Sequence, residues 1–95
     1  VHSKKNNPKE IFNFAKKFKK SKFYKPLVAV PSTYSQVREK ELQENGFKIV
    51  IYANHLLRAS YFSMLETAKN ILKNKRSKES EKNMISIKKV IELIE

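Results

Sequence analysis

The sequence predicts an α/β fold in which short parallel strands alternate with helices. Two apolar, β-prone runs, residues 27–30 and 47–53, are each flanked by segments whose apolar residues recur at helical spacing. Strands that alternate with helices form parallel sheets through right-handed crossovers. With 95 residues, the chain has room for one small domain at most, or for a piece of a larger one.

The first half of the chain predicts a helix, a strand and a second helix. Asn7 followed by Pro8 is a typical helix start, and the apolar spacing that follows predicts a helix that ends near Ser21. Residues 27–30 are apolar and bracketed by prolines, which indicates a short strand covered on both faces. Residues 36–45 predict a charged helix.

The second half predicts a strand and two further helices. Gly46, the only glycine, lies where a left-handed helix C-cap is expected, and residues 47–53 form the second predicted strand. A helix is predicted over residues 58–73, and the entirely polar residues 74–83 predict a solvated linker. Ser86 is expected to cap the last helix.

The predicted organisation has three parts: a main body at residues 1–73, a polar linker at 74–83 and a C-terminal helix at 84–95. Two short parallel strands leave the sheet edges exposed and the helices without cover. We therefore expect the chain to be part of a larger fold.

Positive charge is concentrated at the start of the chain. The formal net charge is +12, and residues 1–26 contain nine lysines and a single glutamate. A lysine-rich segment attracts polyanions, so a small basic module that binds nucleic acid is the alternative from another functional class. The segment contains no arginine, which is the residue suited to bidentate phosphate contacts, and we therefore expect no nucleic-acid partner.

Composition excludes several kinds of site. The chain has no cysteine, which rules out disulfides, thiolate zinc sites and cysteine nucleophiles. No apolar run approaches the roughly 18 residues that a spanning helix needs, so we expect no membrane partner and a cytoplasmic setting. The chain has no aspartate, and no glutamate directly follows a predicted strand, so a magnesium or calcium site built from this chain alone is not expected.

Polar residues cluster where strands are expected to end. In parallel α/β folds, ligands bind at the loops that follow the carboxyl ends of the strands. Hydroxyls, imidazoles and cations at such loops favour anion binding. The three clusters are His2-Ser3-Lys4, Ser32-Thr33-Tyr34, and Asn54-His55 with Arg58. We expect His55 to act mainly at the strand-to-helix junction and Tyr34 to be a core or rim aromatic.

The order and spacing of these segments resemble the C-terminal part of the phosphoenolpyruvate mutase family, within the isocitrate lyase and phosphoenolpyruvate mutase superfamily. The resemblance covers about residues 1–94. It is carried by Val1-His2-Ser3-Lys4-Lys5, Pro8 with Ile11 and Phe14, residues 26–31 with Tyr34, Gly46, and Ile51-Tyr52-Ala53-Asn54-His55 with Leu57-Arg58-Ala59.

The resemblance implies a fold and an activity. It implies a (β/α)8 barrel, of which this chain holds the end of strand six, strands seven and eight with their helices, and a final helix after the linker. The family is one of isomerases that interconvert phosphoenolpyruvate and phosphonopyruvate with Mg²⁺, in phosphonate biosynthesis. In this family the helix after strand eight is exchanged between subunits, so a homo-oligomer is implied.

The resemblance also implies the site residues. His2 matches the family histidine that contacts the transferring phosphoryl group, so it is the implied catalytic and substrate-binding residue, and Ser3 is implied to bind substrate beside it. The family's Mg²⁺ ligands and its mobile loop lie upstream of Val1, so this chain alone is expected to be inactive. Phosphonopyruvate hydrolase, or another member of the superfamily, stays open as an alternative because the discriminating loop is also upstream.

Overall fold

The computed structural model describes residues 1–94 and divides the chain into two compact units, Val1–Asn54 and His55–Glu95. The first unit consists of α1 (Lys9–Lys19), β1 (Leu27–Ala29), α2 (Glu39–Glu44) and β2 (Phe47–Val50). The second unit consists of α3 (His55–Asn74), a 3₁₀-helix (Lys78–Asn83) and α4 (Ile87–Ile94). The predicted alternation of helices and strands is confirmed in the first unit.

The two strands form a parallel pair, as predicted. Leu27 lies opposite Phe47 and Ala29 lies opposite Val50, with a shift in register after Leu27. The Ile51 amide donates to the Ala29 carbonyl at 2.8 Å and extends the pairing beyond β2. The second strand is nevertheless shorter than the predicted 47–53.

Val1 lies along the other edge of β1. Its nitrogen donates to the Val28 carbonyl, and its carbonyl accepts the Val30 N–H at 3.1 Å. In a parallel pair, a residue donates its N–H to one residue of the neighbouring strand and accepts, at its carbonyl, the N–H of the residue two positions further along that strand. Val1 is therefore a parallel neighbour of β1. Because Ala29 bonds to the β2 side, the Val1 segment and β2 occupy opposite edges of β1.

The hydrophobic core of the first unit lies between the helices and the sheet. Ile11 and Ala15 are the buried residues of α1, and their spacing of four places them on one face of the helix. This confirms the apolar face predicted for that helix. The other buried apolar residues are Leu27, Ala29, Tyr34, Val37, Leu42 and Phe47.

Helix ends in the first unit differ from the predictions by a few residues. Pro8, rather than Asn7, is the N-cap residue of α1, because the Pro8 carbonyl accepts the first helical hydrogen bond, from the Phe12 N–H at 3.0 Å. The Asn7 side-chain oxygen accepts the Lys9 N–H at 3.1 Å just before the helix. The second helix, α2, begins at Glu39 rather than at residue 36, because a turn precedes it in which the Val37 N–H bonds to the Tyr34 carbonyl at 3.2 Å. Gly46 has φ +94°, which confirms the predicted left-handed position after α2.

The second unit is helical but has little core of its own. Its first helix, α3, begins at His55, three residues before the predicted start, since Leu56 and Leu57 are good helix formers. Residues 74–83, expected as a linker, contain the 3₁₀-helix. The Ser86 hydroxyl accepts the Lys89 N–H at 3.1 Å and caps α4 as predicted. Within residues 55–94, Ser80 is the only buried residue.

Among residues 1–94, no helix has the length and apolar character needed to cross a membrane.

Candidate functional site

The predicted site residues His2 and Ser3 lie beside the carboxyl end of β1. They directly follow Val1, which pairs with Val28 and Val30. Parallel neighbours run in the same direction. The segment that follows Val1 and the loop that follows β1 therefore both leave the sheet at the carboxyl end of its strands. His2 is exposed there, whereas Ser3 is only 3 % exposed.

The loop after β1 contacts this segment directly. The Tyr34 hydroxyl donates to the Val1 carbonyl at 3.0 Å and accepts the Val30 N–H at 3.2 Å. The Thr33 hydroxyl donates to the Ser3 carbonyl. The structure thus brings together two of the three clusters that the sequence singled out, and it confirms Tyr34 as a core aromatic.

Further hydrogen bonds hold the segment after His2. The Ser3 hydroxyl accepts the Lys5 N–H at 3.1 Å, and the Gln36 side-chain amide donates to the Asn6 carbonyl at 2.7 Å. Gln36 was not singled out from the sequence. No local signal could have identified it, because its partner lies 30 residues away in the chain.

The third cluster divides between the two units. Asn54 is the last residue of the first unit, and His55 and Arg58 lie on α3 of the second. His55 is half-buried and is the first residue of that helix, so it occupies the predicted strand-to-helix junction. Arg58 is exposed.

Tyr34 is a neutral hydrogen-bond donor in this site. Burial raises the pKa of its phenol, and the hydrogen bond from the Val30 amide opposes that rise to a smaller extent. The hydroxyl therefore keeps its proton at neutral pH and can donate it to the Val1 carbonyl. The cations nearest to His2 in sequence are Lys4 and Lys5. Lys4 is exposed, and the Lys5 ammonium pairs with the Glu10 carboxylate at 3.2 Å.

The described residues do not fit a metal ion. Among residues 1–94, no three His, Cys, Asp or Glu side chains come together as a metal-binding group. Mg²⁺ prefers carboxylate and other oxygen ligands, and the chain contains no aspartate. The arrangement around His2 is instead one of hydrogen-bond donors that hold a backbone segment.

No protein-family model matches the chain. Curated relatives do match it, among them a phosphomutase and a hydrolase. The chain is 32% identical over 93 residues to a phosphoenolpyruvate phosphomutase from Tetrahymena pyriformis, and the match covers 98% of this chain and 30% of that protein. It is 33% identical over 94 residues to a phosphonopyruvate hydrolase from Variovorax sp. strain Pal2, covering 98% of this chain and 31% of that protein. The chain thus spans less than a third of the length of these relatives.

The solved structures that the chain resembles are the same two kinds of enzyme. A phosphoenolpyruvate phosphomutase from Streptomyces platensis subsp. rosaceus superposes with a TM-score of 0.87 at 32% identity, over 98% of this chain and 31% of that one. A phosphonopyruvate hydrolase in complex with oxalate and Mg²⁺ superposes with a TM-score of 0.84 at 33% identity, over 98% and 32%. The match lies in a C-terminal part of these structures. Over nearly its whole length, the chain is a homologue of a C-terminal part of phosphoenolpyruvate phosphomutase and of phosphonopyruvate hydrolase.

Proposed function

We propose that this chain supplies the histidine-bearing wall of an active site that acts on phosphoenolpyruvate and phosphonopyruvate. The observation that carries the proposal is the position of His2. Its side chain is exposed at the carboxyl end of the strands. The carbonyls of its neighbours Val1 and Ser3 each accept a side-chain hydrogen bond. An exposed side chain on a fixed backbone at this edge is suited to substrate binding.

The strands take defined places in the proposed barrel. We assign the Val1 segment to the end of strand six, β1 to strand seven and β2 to strand eight. Parallel hydrogen bonding on both edges of β1 supports this order, because a barrel strand has a parallel neighbour on each side.

His2 would donate a hydrogen bond to a phosphoryl oxygen. Charge in phosphoryl transfer spreads over the equatorial oxygens, so catalysis depends on fixed donors and on positioning. Imidazole can supply such a donor near neutral pH. Ser3 is buried and its hydroxyl already accepts the Lys5 N–H, so we propose His2 as the main contact and Ser3 as a subsidiary one.

The proposed activity needs parts of the protein outside this chain. Mg²⁺ is present in a hydrolase structure that the chain resembles, but residues 1–94 supply no group of ligands for it. We therefore propose that the metal ligands lie elsewhere in the full-length protein and that residues 1–95 alone are inactive.

Two reactions use phosphonopyruvate as a substrate, isomerisation to phosphoenolpyruvate by a mutase and hydrolysis by a hydrolase. Identity is 32% to the mutase and 33% to the hydrolase, so the likeness favours the two equally. Phosphorus NMR of the full-length protein with phosphonopyruvate and Mg²⁺ separates them. A mutase converts the phosphonate signal into that of a phosphate ester, and a hydrolase releases inorganic phosphate. An unchanged phosphonate signal would count against both.

Two histidine variants test the place of the site. In the full-length protein, His2→Ala is expected to lower turnover about 10²- to 10³-fold with little change in melting temperature, the usual effect of removing one such donor. His55→Ala is the matched control, because the first residue of α3 should affect mainly stability. If His55→Ala abolishes turnover in a stable protein while His2→Ala is silent, the site lies on the other loop.

We also propose that α3 packs against a second copy of the protein. The four apolar residues expected to lack cover, Phe62, Leu65, Ile71 and Leu72, are all exposed, at 67, 39, 40 and 69 %. Exposed apolar area of this extent favours association. Sedimentation velocity should show a concentration-dependent oligomer, and a monomer at high micromolar concentration would contradict this part of the proposal.

A further inference from the structure

The backbone that carries His2 is held from the side by a loop. Residues 2–6 belong to neither a helix nor a strand, so their carbonyls have no partners from regular secondary structure. The Ser3 and Asn6 carbonyls instead accept hydrogen bonds from side chains in the loop after β1, and the Val1 carbonyl accepts one in addition to its bond from the Val30 N–H. The pairs are Tyr34 with Val1, Thr33 with Ser3 and Gln36 with Asn6.

We propose that Thr33 and Tyr34 are positioning residues that fix His2 for the reaction. They act on the two carbonyls that flank His2, one on each side, and neither needs to touch the substrate. The inference rests on the proposed function for its catalytic meaning. Its structural content, a loop that sets the conformation of the His2 backbone, stands on the hydrogen bonds alone.

Tyr34 fixes the residue before His2. Its side chain is fully buried, and its hydroxyl lies between the Val30 N–H and the Val1 carbonyl. These two groups also bond to each other at 3.1 Å. Tyr34 therefore closes a three-membered set of hydrogen bonds at the point where the Val1 segment leaves the sheet, and removing its hydroxyl leaves the Val30 to Val1 bond in place.

Thr33 fixes the residue after His2. Ser3 is buried, and Thr33 provides a donor for its carbonyl while the Ser3 hydroxyl accepts the Lys5 N–H. A change of backbone conformation at His2 would break either the Tyr34 or the Thr33 bond. Reactive groups lose efficiency steeply when displaced by about an ångström, so such a clamp has a direct effect on turnover.

The test uses matched variants of the full-length protein. Thr33→Val removes the donor and keeps the shape, and Thr33→Ser keeps the donor. Tyr34→Phe removes only the phenol oxygen. Thr67→Val is the control, because the Thr67 hydroxyl also donates to a backbone carbonyl, that of Ser63, but within α3.

We expect Thr33→Val and Tyr34→Phe to lower kcat by roughly 10- to 100-fold, with a smaller change in KM. Thr33→Ser should keep kcat close to that of the wild type, because it keeps the hydroxyl donor. Thr67→Val should leave kcat unchanged. In a His2→Ala background, Thr33→Val should have no further effect, because residues that act as a unit are not additive. A purely structural role would lower activity equally in both backgrounds.

Two results would overturn the proposal. The first is wild-type kcat in Thr33→Val and Tyr34→Phe when His2→Ala is impaired. The second is an additive loss in the double variant. The proposed function itself fails if the wild type shows no turnover or if His2→Ala keeps full turnover. In that case amide hydrogen exchange tests whether Thr33 holds the backbone around His2. The Lys5 amide should then exchange faster in Thr33→Val than in Thr33→Ser, and equal rates would refute it.

Discussion

The two units of the chain have similar amphipathic helices but differ in what those helices cover. In Val1–Asn54, the apolar faces of α1 and α2 meet a sheet, and eight apolar residues are buried. In the second unit no apolar residue among 55–94 is buried, although α3 and α4 are rich in leucine and isoleucine. An amphipathic pattern therefore indicates that a face needs cover, but it does not indicate whether the same chain provides it.

The largest expected effect contrasts a buried leucine of the first unit with an exposed leucine of the second. Leu42 is fully buried on α2, so Leu42→Ala should lower the free energy of unfolding by about 2–5 kcal/mol through lost burial and a residual cavity. Leu57 on α3 is 72 % exposed, so Leu57→Ala should change the free energy of unfolding by no more than about 0.5 kcal/mol. Urea denaturation of the two variants measures both values.

Protein concentration sharpens this comparison. If a second copy covers α3, the cost of Leu57→Ala should grow with protein concentration, because association stabilises the folded state by mass action. The cost of Leu42→Ala should not depend on concentration in the same way. Equal costs for the two variants at every concentration would show that the units do not differ as described.

A smaller effect is expected at the junction of α2 and β2. Gly46 has φ +94°, and a Cβ built there meets no atom within 4 Å. Gly46→Ala should therefore destabilise the first unit by about 1–2 kcal/mol through backbone strain alone, without a steric clash. Gln43→Ala, on the exposed side of the same helix, serves as the control in thermal denaturation. A cost no greater than that of Gln43→Ala would mean that the turn relaxes to accept a side chain.

Features set by neighbouring residues were predictable from the sequence, and so was the parallel pairing that the alternation of strands and helices implies, but individual hydrogen bonds between distant residues were not. The apolar spacing of α1, the proline-bracketed β1, the position of Gly46 and the cap at Ser86 depend on residues a few positions apart. The placement of His2 at a sheet edge followed from the resemblance.

The interactions of the loop after β1 could not be read from local patterns. The Tyr34 hydroxyl and the Val1 carbonyl are 33 residues apart in sequence, and the late start of α2 follows from a turn at Tyr34. The exposure of α3 is a further case, because the apolar spacing that predicts the helix is the same whether or not its face is buried. A pattern of local spacing carries no information about the partner of either group.

The smallest expected effect concerns an ion pair in the second unit. Arg76 Nη2 and Nε lie 2.5 and 2.6 Å from Glu79 Oε1, just after α3. The hydrogen bond from Arg76 is the main cause that lowers the pKa of the Glu79 carboxyl. Arg76→Gln should raise that pKa, as measured by NMR titration. Lys69→Met, which removes a separate lysine on α3, should leave the Glu79 pKa unchanged.

The sign of the pH dependence follows from the direction of this shift. Because the folded-state pKa of Glu79 lies below its unfolded value, the pair stabilises the second unit above the unfolded pKa, and this contribution is lost as pH falls through the folded pKa. Both side chains are partly exposed, so added salt should weaken the effect. In contrast, the raised pKa of Tyr34 in the first unit arises from burial and should respond little to salt. Equal salt sensitivity of the Glu79 and Tyr34 titrations would contradict the view that the first unit is held by a core and the second, in this region, by surface charge.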